Sequence, residues 1–279
     1  MREDAAARRE GARETQSVQS LERGLAVLQV FSRENPAPTL SEVARLAGTT
    51  RATARRILLT LERLGHVRSD GRRFSLTPRV LALGWSYLSS LNLWEIAQPL
   101  MEDLVERTGE SCSAATLDLP DVVYVARVPT RRIMSITLGV GTRLPAHATS
   151  MGRVLLAALP PEELDEFLAT ARLEQLTERT ITAPRELRAV VDEVRAQGWA
   201  LVDQELELGL RSVAAPIQDA ERRTVAAMNV SAAVSRVPLE KLRDEILPQL
   251  LRTADAVSTA LGRSARGEDL SRAVAGAPG

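Results

Sequence analysis

Cysteine and histidine are scarce in this 279-residue chain, and their scarcity excludes several kinds of site. The one cysteine, Cys112, cannot form a disulfide within the chain. One cysteine and two histidines, His66 and His147, supply fewer than the four ligands that a structural zinc site needs. A lone cysteine fits a reducing compartment. We therefore expect a cytoplasmic protein with no metal and no other cofactor.

Long apolar runs are also missing. Residues 1–16 alternate arginine, acidic residues and alanine, without the apolar centre of an export signal. No run reaches the roughly 18 apolar residues that a membrane-spanning helix needs. We therefore expect neither export nor a membrane partner. The polar ends of the chain, 1–16 and 263–279, are expected to be a disordered arm and a disordered tail.

Aromatic side chains make up only 3% of the chain, although hydrophobic residues make up 44%. Aliphatic side chains must therefore fill the interior. By the usual size of a domain, roughly 100 to 200 residues, a chain of this length suggests two domains. Charged residues make up 26%, an ordinary value for a folded globular protein.

The formal net charge is zero, because 36 basic residues balance 36 acidic ones. Taken alone, this balance argues against a nucleic-acid partner. The charges are unevenly distributed, however. Residues 17–80 contain eleven arginines and five acidic residues, a net charge of +6. Residues 81–279 contain 21 basic and 27 acidic residues, a net charge of −6. The chain is thus a basic module joined to an acidic body.

The basic module, residues 17–79, has the pattern of a winged helix-turn-helix. Apolar residues at helical spacing predict a scaffold helix over 20–31. Two further helices are predicted on either side of Gly48, and the second ends at Gly65. Alternating apolar residues then predict a hairpin whose two-residue turn is Asp70-Gly71. This hairpin would be the wing.

In such modules the start of the second helix enters the major groove, and the wing reaches phosphates or the minor groove. The DNA-binding residues predicted at these two places are Thr49, Thr50, Arg51, Thr53, Arg55, Arg56, Arg68, Arg72 and Arg73. Any single arginine could equally be a solvated surface residue, and some winged helices bind proteins. The combination of motif, hairpin and local charge favours double-stranded promoter DNA.

The rest of the chain predicts a linker helix over 80–92 and an α+β domain over 93–262. The linker helix has more apolar surface than one face requires, so either the chain's own domains or a second subunit covers it. The α+β domain is predicted to have an antiparallel sheet flanked by helices. Strands are predicted at 111–117, 121–127, 133–138, 200–203, 212–217 and 225–230, and helices at 93–107, 150–158, 161–169, 184–197 and 239–261. The segment 141–153 is expected to run from a strand, through a loop that contains glycine and proline, into the start of a helix.

Motifs of catalysis are weak in this domain. His147 lies near Thr149 and Ser150, but no nucleophile elbow surrounds either hydroxyl. Phosphate-binding, dinucleotide-binding and zinc-protease motifs do not occur in the sequence. We therefore expect no enzymatic activity. The alternative from another class is a small-molecule enzyme that uses the winged helix only for assembly.

Several segments resemble the IclR family of bacterial transcription regulators. The segments 17–25, 40–44 and 60–67 resemble its DNA-binding domain. Further along, the spacing G-x-R-x-P-x-x-A-x-x-x-G is matched by Gly141, Arg143, Pro145, Ala148 and Gly152. The resemblance covers about residues 17–262. It implies a winged helix-turn-helix, a GAF-like effector domain, and a homodimer or tetramer.

Within that family, the segments 94–99, 110–113, 128–134 and 148–153 resemble the subgroup that regulates aromatic-acid catabolism through the β-ketoadipate pathway. This resemblance implies a small carboxylate effector: protocatechuate, 4-hydroxybenzoate or β-ketoadipate. A regulator of a different carbon pathway is the remaining alternative within the family.

The resemblance also implies where the effector binds. Alignment with the family places it at the backbone amides of Ser150 and Met151 and at four side chains, those of Asp203, Ser212, Asn229 and Ser231. Ser212 and Asn229 differ from the residue types of the glyoxylate-responsive member, which implies another effector. The candidate partners for an effector carboxylate are Arg131, Arg132, Arg143 and Arg153, since arginine binds carboxylates in a bidentate manner. Each of them could instead be exposed.

Overall fold

The structure is a computed structural model that describes residues 17–32, 34–84, 93–130 and 138–265. The chain divides into two compact units, 1–87 and 88–279. Each unit has a hydrophobic core of its own. Within the described ranges, no helix combines the length and apolar character that crossing a bilayer requires.

In the described part of the N-terminal unit, three α-helices and a two-stranded antiparallel sheet are followed by a 3-10 turn (Pro78–Val80) and the helical residues 81–84. The helices are α1 (Gln19–Gln29), α2 (Leu40–Leu46) and α3 (Arg51–Arg63), and the strands are β1 (Val67–Ser69) and β2 (Phe74–Leu76). Apolar side chains at helical spacing, among them Val27, Val43 and Leu58, meet in one small core. This arrangement confirms the predicted winged helix-turn-helix.

Local hydrogen bonds explain where the two helices of the helix-turn-helix begin. At the start of α2, Glu42 N donates to the Thr39 hydroxyl and Thr39 N donates to the Glu42 carboxylate, which is a capping box. At the start of α3, the Thr50 hydroxyl accepts a hydrogen bond from Thr53 N. Gly48 connects the two helices with a φ of 61°, a conformation that glycine adopts without steric cost.

The turn of the wing lies one residue later than the sequence predicted. Asp70 N donates to Arg73 O, so Gly71 and Arg72 form the turn instead of Asp70-Gly71. The Asp70 carboxylate accepts hydrogen bonds from the backbone amides of Arg72 and Arg73, and these bonds lower its pKa. An aspartate that binds the backbone ahead of it favours the first position of a turn, which accounts for the shift.

The C-terminal unit is built on a six-stranded antiparallel sheet in the order β5-β4-β3-β8-β7-β6. Its strands are β3 (Ser111–Asp118), β4 (Asp121–Val128), β5 (Arg143–Pro145), β6 (Ala200–Asp203), β7 (Leu210–Gln218) and β8 (Thr224–Ala233). Its helices are α4 (Leu93–Thr108), α5 (Ser150–Ala157), α6 (Pro161–Thr170), α7 (Pro184–Gln197) and α8 (Leu239–Lys241), which continues through a π-helical turn (Leu242–Ile246) into α9 (Leu247–Ala265).

The two faces of the sheet have separate cores. One face packs against α4 and α9 and contains Cys112, Met228 and Val230. The other packs against α5 and α7 and contains Tyr124 and Ala214. Alternating side chains of each strand supply the two cores. The predicted α+β fold with an antiparallel sheet flanked by helices is therefore confirmed.

A bulge between β3 and β4 breaks that alternation. The register shifts between Ala114 and Ala115, so that Ala114 faces Ala126 whereas Ala115 faces Tyr124. Val125 is the extra residue of the bulge. As a result, Tyr124 and Arg127 project from the same face of the sheet although they are three positions apart.

Most predicted elements of this unit form within two or three residues of their expected bounds, and 184–197 and 200–203 form at the bounds themselves. Two local details differ from the expected pattern. The segment that leads from 141 into α5, expected to contain a loop, also contains β5, because Arg143–Pro145 pairs with β4. Residues 263–265, expected to begin the polar tail, continue α9. The predicted strand 133–138 and most of the linker helix lie outside the described residues, although 81–84 are helical.

We expect Gly152→Ala to destabilise the C-terminal unit severely. A Cβ at position 152 would lie 2.1 Å from the backbone oxygen of Ala146, which cannot move aside like a flexible side chain. Overpacking of this kind costs about 3 kcal/mol. Thermal unfolding of the purified variant measures the loss. Gly139→Ala is the matched control, because a Cβ there meets nothing within 4 Å. Equal melting temperatures for the two variants would contradict this account.

Candidate functional site

The start of α3 presents basic side chains to solvent. Arg51, Arg55 and Arg56 are exposed, while Ala54 and Leu58 on the opposite side of the helix are buried. The structure therefore brings three of the predicted DNA-binding arginines onto one exposed surface. The hydroxyls of Thr50 and Thr53 bind each other at 3.0 Å in the N-cap of α3, and Thr49 is partly buried beside them.

The three arginines of the wing differ in their contacts. Arg68 on β1 and Arg72 in the turn are exposed. Arg73 is also exposed, but its Nη1 donates to the carbonyl oxygen of Ala37 at 2.7 Å. Phe74 N donates in the same way to Pro38 O at 3.0 Å. Arg73 therefore attaches the wing to the segment before α2, and Arg68 and Arg72 are the wing cations that extend into solvent.

The C-terminal unit contains a cavity of about 340 Å³. It lies where α5 begins, between the face of the sheet that packs on α5 and the loop 206–210. The polar side chains that line it include Tyr124, Arg127, Ser150, Ser212, Asn229, Ser231 and Arg236. A volume of this size suits a small organic ligand. The first backbone amides of a helix, which attract anions, are located at one wall.

Four of the predicted effector residues line this cavity: Ser150, Ser212, Asn229 and Ser231. Two hydrogen bonds link them in pairs. The Ser150 and Ser212 hydroxyls lie 2.8 Å apart, and Asn229 Nδ2 donates to Ser231 Oγ at 3.0 Å. The structure thus brings together residues from α5, β7 and β8 that are distant in the sequence.

Of the other predicted effector residues, those that the structure describes are absent from the cavity lining. The prediction at Met151 concerns its backbone amide, which lies in the first turn of α5, and its side chain is fully buried in the core between α5, α7 and the sheet. Asp203 binds Arg211 at 2.9 Å and Arg179 at 3.1 Å. Asp203 alternates with Val202 along β6, and Val202 is the residue that faces the cavity. Arg131 and Arg132 lie outside the described residues.

Two predicted carboxylate partners are occupied by carboxylates of the chain itself. Arg143, at the sheet edge, binds Asp118 at 2.5 Å and Asp121 at 3.1 Å. Arg153 is buried and binds Glu205 at 2.5 Å. Neither lines the cavity. In this structure both arginines are thus paired within the chain and lie outside the cavity lining.

The sequence prediction missed two arginines that do line the cavity, Arg127 and Arg236. Arg236 binds Glu110 at 2.6 Å. Arg127 is half-buried, and its Nη1 donates to Ser113 Oγ at 3.4 Å. Within the described part of the chain, no carboxylate lies within ion-pair distance of Arg127. Burial lowers the pKa of its guanidinium because it removes water from the charged form.

Within the described ranges, no hydrogen bond joins His147 to the nearby hydroxyls of Thr149 and Ser150. His147 is buried, with Nε2 3.0 Å from the carbonyl oxygen of Glu174. The Ser150 hydroxyl contacts Ser212, and the Thr149 hydroxyl caps α5 by accepting from Gly152 N. Burial raises the pKa of the Tyr124 phenol to about 12. Tyr124 is thus a neutral hydroxyl at physiological pH.

The comparisons with known proteins assign the class of this protein. The family model described as the IclR helix-turn-helix domain matches residues 20–71, and the model described as bacterial transcriptional regulator IclR C-terminal matches residues 85–259. The chain is thus a bacterial transcription regulator of the helix-turn-helix class. It belongs to the IclR family, as the sequence predicted.

Its relatives include named regulators. It is 47% identical to the Pca regulon regulatory protein of Pseudomonas putida, over 83% of this chain and 80% of that one. It is 38% identical to the p-hydroxybenzoate hydroxylase transcriptional activator of Acinetobacter baylyi, over 85% of this chain and 90% of that one. Among solved structures, an IclR homologue of Microbacterium hydrocarbonoxydans complexed with 4-hydroxybenzoate has a TM-score of 0.77 at 27% identity, covering 87% of this chain and 99% of that one.

We expect the buried Arg153–Glu205 pair to hold the loop 206–210 in place behind the cavity. Glu205 Oε2 also accepts from Ile181 N at 3.2 Å. Arg153→Met would leave the Glu205 carboxylate buried without its cation, at a cost of about 3 kcal/mol. Adding Glu205→Gln removes that charge and should recover part of the loss. Urea unfolding measures both, and a double variant less stable than Arg153→Met would disagree with this expectation.

Proposed function

We propose that this protein is an effector-responsive regulator that binds promoter DNA and controls genes of aromatic-acid catabolism. The observation that carries the proposal is the cavity, where serine and asparagine side chains meet Arg127 beside the start of α5. Such a set of polar groups suits a small carboxylate. The names of the relatives at 47% and 38% identity, and the 4-hydroxybenzoate bound to the Microbacterium homologue, support an aromatic acid.

For DNA, we propose that residues 17–79 act as the reading module. The exposed arginines of α3 would lie in the major groove, and Arg68 and Arg72 of the wing would contact phosphates or the minor groove. Arg73 would act by holding the wing against Ala37. Because its target is the promoter, the protein would work in the cytoplasm.

For assembly, we propose a homodimer or tetramer in which the linker 80–92 contributes to pairing. Exposed apolar side chains support this proposal: Leu81 is 74% exposed and Leu83 is 57% exposed. Exposed apolar residues in such a cluster are unfavourable unless they are covered by a partner. Two subunits would place two recognition helices about 34 Å apart, one turn of DNA.

The alternative function is an enzyme that uses the winged helix for assembly. The geometry favours a sensor over this alternative, because the cavity hydroxyls hydrogen-bond to one another instead of to His147. The effector domain 93–262 would then act by binding alone. An effector shifts the arrangement of the recognition helices only if it binds the two arrangements with different affinity.

We expect Arg51→Ala and Arg55→Ala each to weaken promoter binding without changing the melting temperature. Both side chains are exposed, so the core is untouched. If they contact phosphates, each substitution should lower the slope of log affinity against log salt by about 0.9. Fluorescence anisotropy with promoter DNA at several salt concentrations measures this. Arg185→Ala, an exposed arginine at the start of α7, is the control. Wild-type affinity in both α3 variants would favour the assembly role of the winged helix.

We expect 4-hydroxybenzoate or protocatechuate to raise the melting temperature of the purified protein. A ligand that binds only the folded state stabilises it by about 2.7 kcal/mol at a concentration 100 times its Kd. A thermal-shift screen should also contain β-ketoadipate and glyoxylate. If glyoxylate alone produced the shift, the proposed pathway would be wrong although the family would stand.

A further inference from the structure

We propose that the ion pair between Arg236 and Glu110 transmits occupancy of the cavity to α4, the helix that follows the linker in the chain. A ligand carboxylate competes with Glu110 for Arg236, and the end of α4 moves when Glu110 loses that partner. This inference rests on the proposed function, because it assumes that the cavity holds a small carboxylate. It adds the step by which binding of the acid changes the affinity for DNA.

Arg236 belongs to the cavity and to the ion pair at the same time. Its side chain lines the cavity, and its Nη2 donates to Glu110 Oε2 at 2.6 Å. The Arg236 side chain is 35% exposed, whereas the Glu110 side chain is only 6% exposed. The cation is therefore accessible to a ligand, while the carboxylate that it binds is not.

Another ion pair beside the cavity differs in this respect. The side chains of Arg153 and Glu205 are 3% and 10% exposed, and neither lines the cavity. A ligand has no access to that pair, which therefore stays closed whether or not the cavity is filled. A ligand carboxylate can open the Arg236–Glu110 pair, because it offers the guanidinium the same charge-assisted hydrogen bonds that Glu110 offers.

The strand register places the Arg236–Glu110 pair at one end of the sheet. Ser111, the residue after Glu110, faces Ser231 where β3 pairs with β8, and Arg236 follows the last residue of β8, Ala233. The cavity lies on the face of the sheet that packs against α5, whereas α4 packs against the opposite face. The pair therefore connects the two faces around the end of the sheet, without crossing either hydrophobic core.

Glu110 is also part of the turn that ends α4. The helix ends at Thr108, and Gly109, with a φ of 71°, leads from it to Glu110. Glu110 N donates to the Thr108 hydroxyl at 3.3 Å. Taking the cation away from a buried ion pair is strongly unfavourable for the carboxylate that remains. When the ligand takes Arg236, residues 108–110 therefore move so that Glu110 regains water, and the end of α4 moves with them.

Competition for Arg236 provides the difference in ligand affinity that a response requires. A ligand changes DNA binding only if it binds two arrangements of the protein with different affinity. The arrangement in which Glu110 holds Arg236 binds a carboxylate more weakly than the arrangement in which Arg236 is released. Because the linker 80–92 and α4 are consecutive in the chain, a displaced α4 acts on the linker directly.

Glu110→Gln tests this inference, because the amide keeps the shape of the side chain and removes its charge. Fluorescence anisotropy with promoter DNA measures the response of the full-length protein to 4-hydroxybenzoate, protocatechuate and β-ketoadipate. We expect an acid that binds to change the promoter affinity of the wild-type protein by about fivefold or more, and that of Glu110→Gln by less than about twofold. In calorimetry, Glu110→Gln should bind that acid at least as tightly as the wild-type protein, since no carboxylate of the chain competes for Arg236.

The reciprocal measurement gives a second readout. Saturating promoter DNA should change the acid affinity of the wild-type protein by the same factor as the acid changes its promoter affinity. In Glu110→Gln, promoter DNA should leave the acid affinity unchanged. An ion pair with a merely structural role would lower stability and weaken acid binding, but it would not separate the two affinities in this way.

Asp103→Asn is the matched control, because it removes another carboxylate from α4 whose partner, Arg107, lies outside the cavity lining. It should respond to the acid like the wild-type protein. If Glu110→Gln has a lowered melting temperature, the double variant Glu110→Gln/Arg236→Gln, which leaves neither charge behind, is the second variant, and its response should also be lost. A wild-type response in either folded variant, or weaker acid binding by Glu110→Gln than by Asp103→Asn, would overturn this inference alone. If none of the three acids changed the promoter affinity of the wild-type protein, the proposed function would be overturned with it.

Discussion

The close contact between α5 and the turn before it is the constraint on which the cavity depends. Gly152 packs so near the backbone of Ala146 that no side chain fits between them. This contact sets the position of the first turn of α5, and therefore of Ser150, against the sheet. The Ser150–Ser212 hydrogen bond then joins the helix to β7.

The face of the sheet that packs against α5 is apolar near the middle of this helix and polar near its start. Toward the middle of α5, small and apolar side chains such as Ala214 and Ala227 form a dry core. Toward the start of the helix, polar residues occupy the equivalent positions, Ser212 on β7 and Asn229 and Ser231 on β8. These polar groups hydrogen-bond in pairs, Ser212 with Ser150 and Asn229 with Ser231, so the wall of the cavity is polar where the rest of this face is apolar.

The elements of both units could be predicted in large part from local patterns. The capping threonines, the glycine between α2 and α3 and the arginines off the apolar stripe are all visible in the sequence. Which residues face the cavity could not be predicted in the same way. The sequence analysis did not identify Arg127 as a cavity residue. The bulge at Val125 changes the face of the sheet from which Arg127 projects, and an alternating sequence pattern cannot reveal a bulge. Arg143 was a candidate partner for the effector carboxylate because of its position in the family motif. That position gives no information about Asp118, which forms an ion pair with Arg143.

By itself the sequence determined the class of protein: a basic winged helix-turn-helix joined to an acidic α+β domain, with the residue spacings of the IclR family. Local spacing suffices for this, because helices, turns and caps depend on near neighbours. The tertiary structure decided which charges remain available. Arg153 and Arg143 are each matched by a carboxylate distant in sequence, and Arg127 is left facing the cavity. Only the packing of strands against helices brings such partners together, and so only the fold could distinguish an arginine paired with a carboxylate from one that faces the cavity without such a partner among the described residues.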